Sequence, residues 1–287
     1  MKVIFNADDF GLTAGVNHGI IAAFKKGLLT STSLISSGEA AEEAMDLALE
    51  NPGLDTGIHL VLTDEPPLLS TEILSTIDAH NGLLPSRNRL LKSILTREID
   101  YKEVTREWRA QVEKPLGRGI KISHIDSHQF VHLFPGLCHV CLEIARHYHI
   151  PFIRNNMIEP SLSKRLFPKS GSVRFLQWLG LWAWTRLITA RGIFPLPKKL
   201  PSVGFINAGG RMTCTHALQI LDALSFHKDF DCVEIFLHPG LGDEQTHGKY
   251  KHWHYFWEND LNLLMNEDLR KGLEKRNIKT VSFNNQN

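Results

Sequence analysis

Nowhere in the chain do 18 uncharged apolar residues follow one another, so the sequence offers no convincing membrane span. Cysteine is scarce: four in 287 residues cannot make a disulfide scaffold. An excess of one charge sign is also missing. With 32 Lys and Arg against 31 Asp and Glu, the net charge is +1, which argues against a strongly basic nucleic-acid binder and against an acidic tail. There is no internal repeat, low-complexity tract or Gly/Ser linker. No GxxxxGK[ST] loop and no GxSxG elbow occur, so phosphate-loop and serine-hydrolase chemistry lose their usual signals. The first residues, MKVIFNADDFG, enter an apolar strand without a basic n-region or a cleavage site, and a reducing, cytoplasmic location is expected.

What is present is ordinary globular composition, 43% hydrophobic and 22% charged. A chain of this length buries roughly 75% of its unfolded surface and needs no staples. Short apolar runs at 3–6, 32–36, 56–62, 120–125, 151–154, 203–207, 232–237 and 279–283 read as strands. Helical patterns occupy 15–26, 39–50, 101–116, 136–148, 173–190, 213–225 and 260–275. That alternation predicts an α/β fold with a parallel sheet, and eight such units fit one β/α barrel over 1–287 better than two domains. A doubly wound open sheet is the alternative. Residues 62–100 and 159–201 exceed a minimal barrel and read as insertions. The second contains RFLQWLGLWAWTRL, with Trp178, Trp182 and Trp184 close together. It reads as a core or subunit-interface helix, or as a lid or membrane-surface helix handling an apolar substrate.

Fifteen histidines make their positions worth plotting. Asp8 and Asp9 follow the first strand, and His59 lies in the third. His124, Asp126 and His128 cluster at the end of the fourth, Arg154 ends the fifth, and His238 ends the seventh. In parallel β/α folds the carboxyl ends of strands gather on one face, so these residues should converge. Each feature has a bland reading. An Asp pair can cap a turn, His59 can be a core histidine, and HPG can be a simple turn. His124-x-Asp126-x-His128 is more specific, because it puts three polar groups on one side of an apolar strand, where burial without a task is costly. One carboxylate with two imidazoles makes a three-ligand metal site with open positions for water. The adjacent acid can then take a proton from that water, and a facing histidine can protonate a leaving amine. Cys138 and Cys141, three apart on a helix, read as packing neighbours, and Gly209-Gly210 as a turn.

Taken in order, NADDFGL, VNHGI, GIHL, SHIDSHQ and HPG resemble the YdjC/ChbG family of carbohydrate deacetylases along nearly the whole chain. GRMT at 210–213 and RNN at 154–156 resemble its hopanoid-biosynthesis-associated branch, HpnK. The resemblance implies a distorted TIM-like β/α barrel and a divalent metal ion, Mg2+ or Zn2+. It implies that Asp9, His59 and His128 hold the metal, that Asp8 is the catalytic base and that His238 is the proton donor. His124 and Asp126 would orient the ligands, and Arg154 would bind substrate or steady Asp8. Phe130 stands where family members often carry a further histidine, which leaves the three ligands intact. The implied substrate is an N-acetylated amino sugar, either N-acetylglucosamine in a saccharide or a glycolipid such as a glycosylated hopanoid. A homodimer and lipid or peripheral membrane contact through 173–190 are also expected, and nucleic acid is not. Another metal hydrolase, such as a phosphoesterase, and a non-catalytic sugar- or lipid-binding protein are the competing readings.

Overall fold

The computed structural model describes residues 1–70, 72–77, 82–155, 172–191, 200–205, 207–226 and 230–285, with side chains of 172–174 excepted. Eight parallel strands alternate with helices in chain order: β1 (Lys2–Phe10), β2 (Ser31–Leu34), β3 (Asp55–Leu60), β4 (Ile122–Ser127), β5 (Phe152–Ile153), β6 (Ser202–Val203), β7 (Cys232–Leu237) and β8 (Lys279–Thr280). The sheet runs β5-β4-β3-β2-β1-β7-β6, with β8 on the start of β1. An isolated parallel bridge between Asn155 and Pro201 joins the two outer strands, β5 and β6. The sheet therefore curls into a distorted TIM-like barrel, as expected. The open doubly wound alternative loses, because its two edges would lie far apart.

All eight strands lie where the apolar runs predict them, but three of them, β5, β6 and β8, keep only two residues. Helices α1 (Ala14–Lys26) and α2 (Ala41–Glu50) follow β1 and β2. Helix α1 starts at Thr13, whose side chain accepts from the amide of Val16. The helix expected over 260–275 is two, Trp257–Leu264 and Glu267–Lys275. Asn266 caps the second by accepting from the amide of Leu269, which breaks the run. Short helices over Arg87–Leu95 (α3) and Glu244–Lys249 were not expected.

Within 62–100, the described residues are tied down by one stripe of α4 (Tyr101–Gly117). Glu103, Glu107 and Gln111 recur every fourth position and face inward. Glu107 accepts from the amides of Leu68 and Leu69, and Glu103 from Ser75 and Thr76. Gln111 bonds the backbone of Val61 from both sides, and Trp108 donates to the same carbonyl. Three acid and amide side chains are thus buried at no cost in unsatisfied groups. Much of the other insertion, 159–171 and 192–199, lies outside the described residues. Its helix, α5 (Leu137–His147) being the preceding one, is α6 (Ser172–Ala190). Trp178, Thr185 and Ile188 of α6 are buried, and Trp184 donates its indole N–H to the carbonyl of Leu133 at 2.6 Å.

Candidate active site

The carboxyl end of β1 carries Asn6, Asp8 and Asp9. Alternation along a regular strand would send Asp8 and Asp9 to opposite faces. Asp9 escapes it with a left-handed backbone, φ 69°, and the pairing with β2 slips between Ala7 and Phe10. A non-glycine residue in that region carries strain, which the surrounding sheet has to hold. The result is that both carboxylates enter one polar cluster.

Asp8 is saturated. Arg154, at the end of β5, donates to both of its oxygens, Nη1 to Oδ2 and Nη2 to Oδ1, each at 2.7 Å. The Asn6 amide donates to Oδ1 at 3.0 Å. The same guanidinium reaches Glu234 of β7 through Nε, at 2.9 Å, and Asp126 through Nη2, at 2.7 Å. It stacks on the Phe236 ring, 4.4 Å from the centroid. Every direction of Arg154 is thus spent on orienting carboxylates, and it is buried away from the cavity wall. Burial raises the carboxyl pKa of Glu234, against the pull of Arg154.

Asp9 is the opposite case. Both oxygens are buried and neither has a hydrogen-bond partner among the described residues. Oδ1 faces His59 Nε2 at 3.4 Å and His128 Nδ1 at 3.5 Å. One ligand atom from each of Asp9, His59 and His128 lies within 4.8 Å of the others. Burial pushes the Asp9 carboxyl up, but the facing His128 ring and the positive potentials of His238 and His59 outweigh it and bring it down to about 2. His128 does not sit on the strand, as the alternating pattern predicted. β4 ends at Ser127, and Gln129 and Phe130 take left-handed backbone at φ 55° and 58°. That turn swings His128 over Asp9.

Asp126 orients His59. The Nδ1–H of His59 donates to Asp126 Oδ1 at 2.6 Å, which leaves Nε2 directed at Asp9. Burial lowers the His59 pKa, but the Asp126 carboxylate, with Asp8 and Asp9 behind it, lifts it to about 9. Ser33 donates to the other Asp126 oxygen at 2.7 Å. The hydrogen of Ser33 is thereby committed, so His124 Nε2, 3.0 Å away, is its donor. His124 is one step further from the centre: it is fully buried, it stacks on Phe283, and burial takes its pKa down to about 4. Its ring fills the space over Gly57, where a Cβ would stand 2.3 Å from it, so the glycine of GIHL is required by close approach.

The buried carboxylates Asp8, Asp9, Asp126 and Glu234 outnumber the cations placed among them. That imbalance, together with the two orphaned oxygens of Asp9, fits a divalent cation. A second grouping, Asp8, His59 and Asp126, also has ligand spacing. Its carboxylates are already engaged by Arg154, so the Asp9 grouping has the free donor atoms. An Asp with two His suits Mg2+ or Zn2+ with water completing the shell.

His238 stands on the other side of Asp8, with Nε2 4.0 Å from Oδ2. Its backbone N–H donates to Asp260 at 2.9 Å, and its buried Nδ1 has no hydrogen-bond partner among the described residues. The His238 ring packs edge-on against Tyr255, and Trp253 leans on His128. A cavity of about 240 Å3 opens over this centre, lined by Asp8, His59, His128 and His238 and, at its outer wall, by Arg87 of α3, Gln177 of α6, Phe205 and Tyr255. The cluster thus brings together Asp8, Asp9, His59, His128, Asp126 and His238, with Arg154 and His124 behind it. Missed from sequence were Asn6, Ser33, Glu234, Asp260, Arg87 and Gln177. A Glu in the middle of the apolar run CVEIFL was the available signal for Glu234.

A sequence model of the YdjC-like protein family matches residues 2–275. A carbohydrate deacetylase of Clostridium beijerinckii is 28% identical over 99% of both chains. Carbohydrate deacetylase 1 of Listeria innocua is 41% identical over 54% of this chain and 62% of its own length. A crystal structure from Enterococcus faecalis, provisionally described as a cellobiose-phosphate cleavage protein, superposes with a TM-score of 0.73 at 26% identity, covering 99% of this chain and 97% of that one.

Proposed function

The chain belongs to the YdjC-like protein family, and on that premise we propose that it is a metal-dependent carbohydrate deacetylase that hydrolyses the N-acetyl group of an amino sugar. The observation that carries this reading is the contrast between two adjacent acids. Asp8 is clamped at both oxygens, whereas Asp9 has no hydrogen-bond partner among the described residues and turns Oδ1 toward His59 and His128.

Asp9, His59 and His128 hold the metal. When bound there, a divalent ion supplies Lewis-acid polarisation of the acetyl carbonyl and acidifies a water molecule. Asp8 takes a proton from the attacking water as its oxygen adds to the amide carbon. Arg154 and Asn6 fix the direction of that carboxylate, so the base does not have to be reoriented at each turnover. As the carbon–nitrogen bond breaks, the amine nitrogen takes a proton from His238, whose Nε2 stands 4.0 Å from Asp8. The products are acetate and the free amino sugar. Asp126 holds the His59 ring, Ser33 holds Asp126, and His124 holds Ser33.

The substrate we assign is N-acetylglucosamine in a saccharide or in a glycolipid such as a glycosylated hopanoid, as in the HpnK branch. Names of the relatives as carbohydrate deacetylases support the sugar, and Gln177 on the Trp-rich helix at the cavity wall favours a substrate with an apolar anchor nearby. The test is acetate release from a panel of soluble and lipid-linked N-acetylglucosamine conjugates. Turnover that vanishes on chelation and returns with metal is expected. Metal-replete protein inert on the whole panel would contradict the reading.

A further inference from the structure

The net charge of +1 conceals a strong asymmetry. From residue 160 to residue 221 the chain carries nine Lys and Arg and not one Asp or Glu, so the remainder has a net charge of −8. Helix α6 lies inside that basic stretch, and its inner side docks on the barrel through Trp178, Thr185 and Ile188. A surface helix with one buried side should be polar on the other. The outer side of α6 is not: its exposed positions include Leu176 at 63%, Leu187 at 41%, Gly180, Ala183 and Ala190. These fall at steps of three and four and form one continuous apolar stripe. The cations Arg186 and Arg191 stand exposed beside it, with Arg186 5.9 Å over the Trp182 ring. By contrast, Glu267–Lys275 exposes mainly charged residues.

We propose that the outer face of α6 seats the protein on the surface of an anionic phospholipid bilayer. An apolar stripe of leucines edged by arginines, in a stretch without acids, matches the acyl-headgroup boundary of such a surface. Nucleic acid would call for exposed polar and stacking groups in place of leucine and alanine. The seat is peripheral, since no helix among the described residues is long and apolar enough to cross a membrane. Gln177, one residue from Leu176, lines the catalytic cavity. The mouth of that cavity therefore opens beside the bilayer, where a lipid-linked amino sugar would present its headgroup. This last step rests on the proposed deacetylation, whereas the seating itself does not.

The experiment is co-sedimentation of the full chain with vesicles of phosphatidylcholine, with and without phosphatidylglycerol, over a salt series, with analytical ultracentrifugation of the same samples. The wild type should pellet with the anionic vesicles only and be released by salt. Each basic contact is worth about fivefold in partitioning. Arg186→Glu with Arg191→Glu should therefore lower binding at least about 25-fold, and Leu176→Glu with Leu187→Glu should abolish it. Circular dichroism and turnover on a soluble acetylated sugar check that the variants are folded. Wild type that stays in the supernatant with anionic vesicles overturns the proposal. So does a leucine variant that converts a dimer to a monomer without changing vesicle binding, which would make the stripe a subunit interface. Binding by wild type with no deacetylation of any sugar would leave the seating intact and count against the catalytic reading alone.

Discussion

The two walls of the strand-end cluster are made from the same kinds of residue and are wired in opposite ways. On the β5–β7 side, Arg154 threads Asp8, Asp126 and Glu234 together and holds Asp8 at both oxygens. On the β3–β4 side, Asp9 faces His59 and His128, with neither oxygen hydrogen-bonded among the described residues. The first wall is complete as the chain folds. The second could hold a cation through Asp9, His59 and His128. Two neighbouring, buried aspartates thus differ in how they are held: Asp8 by Arg154 and Asn6, Asp9 by no hydrogen bond among the described residues.

The sharpest way to break that contrast is Asp8→Asn. Loss of a general base should cost about 10²–10⁴ in kcat, while the metal content measured by elemental analysis stays at the wild-type level. A parallel loss of metal would merge the two walls into one. Proton competition gives the next largest effect. Without an ion, His59 is lifted from its ordinary 6.5 to about 9, so its charged ring stabilises the fold at neutral and acid pH, and that contribution is lost as pH rises through about 9. A metal has to displace that proton. Its affinity should climb about tenfold per pH unit between 7 and 9 and then level off, read by calorimetric titration with proton release. A flat profile would detach His59 from the metal site. Asp126→Asn should weaken metal binding by about 10–100-fold without removing a proposed ligand, since it loosens the His59 ring along with the ties of Asp126 to Ser33 and Arg154. Unchanged affinity would show that the Asp126–His59 bond is idle.

The smallest effect concerns the groups behind the walls. Burial holds neutral both His124 and His132, a buried residue of the turn after β4 whose Nε2 lies 2.9 Å from the Arg154 carbonyl, each lowered to about 4. Folded values below the ordinary 6.5 mean that stability is present above 6.5 and falls as pH drops toward 4. Thermal melts should slide down across that window, and His124→Gln should flatten the slope. An unaltered slope would mean that His124 is not the group that charges.

The fold was legible because each strand is an apolar run with polar residues gathered at its carboxyl end, and parallel topology alone brings such ends together. The convergence of Asp9, His59 and His128 was legible for the same reason. What stayed hidden is the wiring. Asp9 reaches His59 only because of a left-handed backbone that no spacing rule announces. Arg154 finds its partners 146 residues away at Asp8 and 80 away at Glu234. Asn6 and Ser33 look like unremarkable strand residues until they are seen to bond each other at 2.8 Å and to hold Asp8 and Asp126 in place. His128 was read as the last strand position, whereas the chain has already turned there.

The most direct measurement is anomalous diffraction from crystals grown with Zn2+. A single ion bound by Asp9, His59 and His128, with Asp8 still held by Arg154 and outside the coordination shell, is the expected result. An ion that instead recruits Asp8 and Asp126 by displacing Arg154, or a pair of ions, would contradict the division between the two walls.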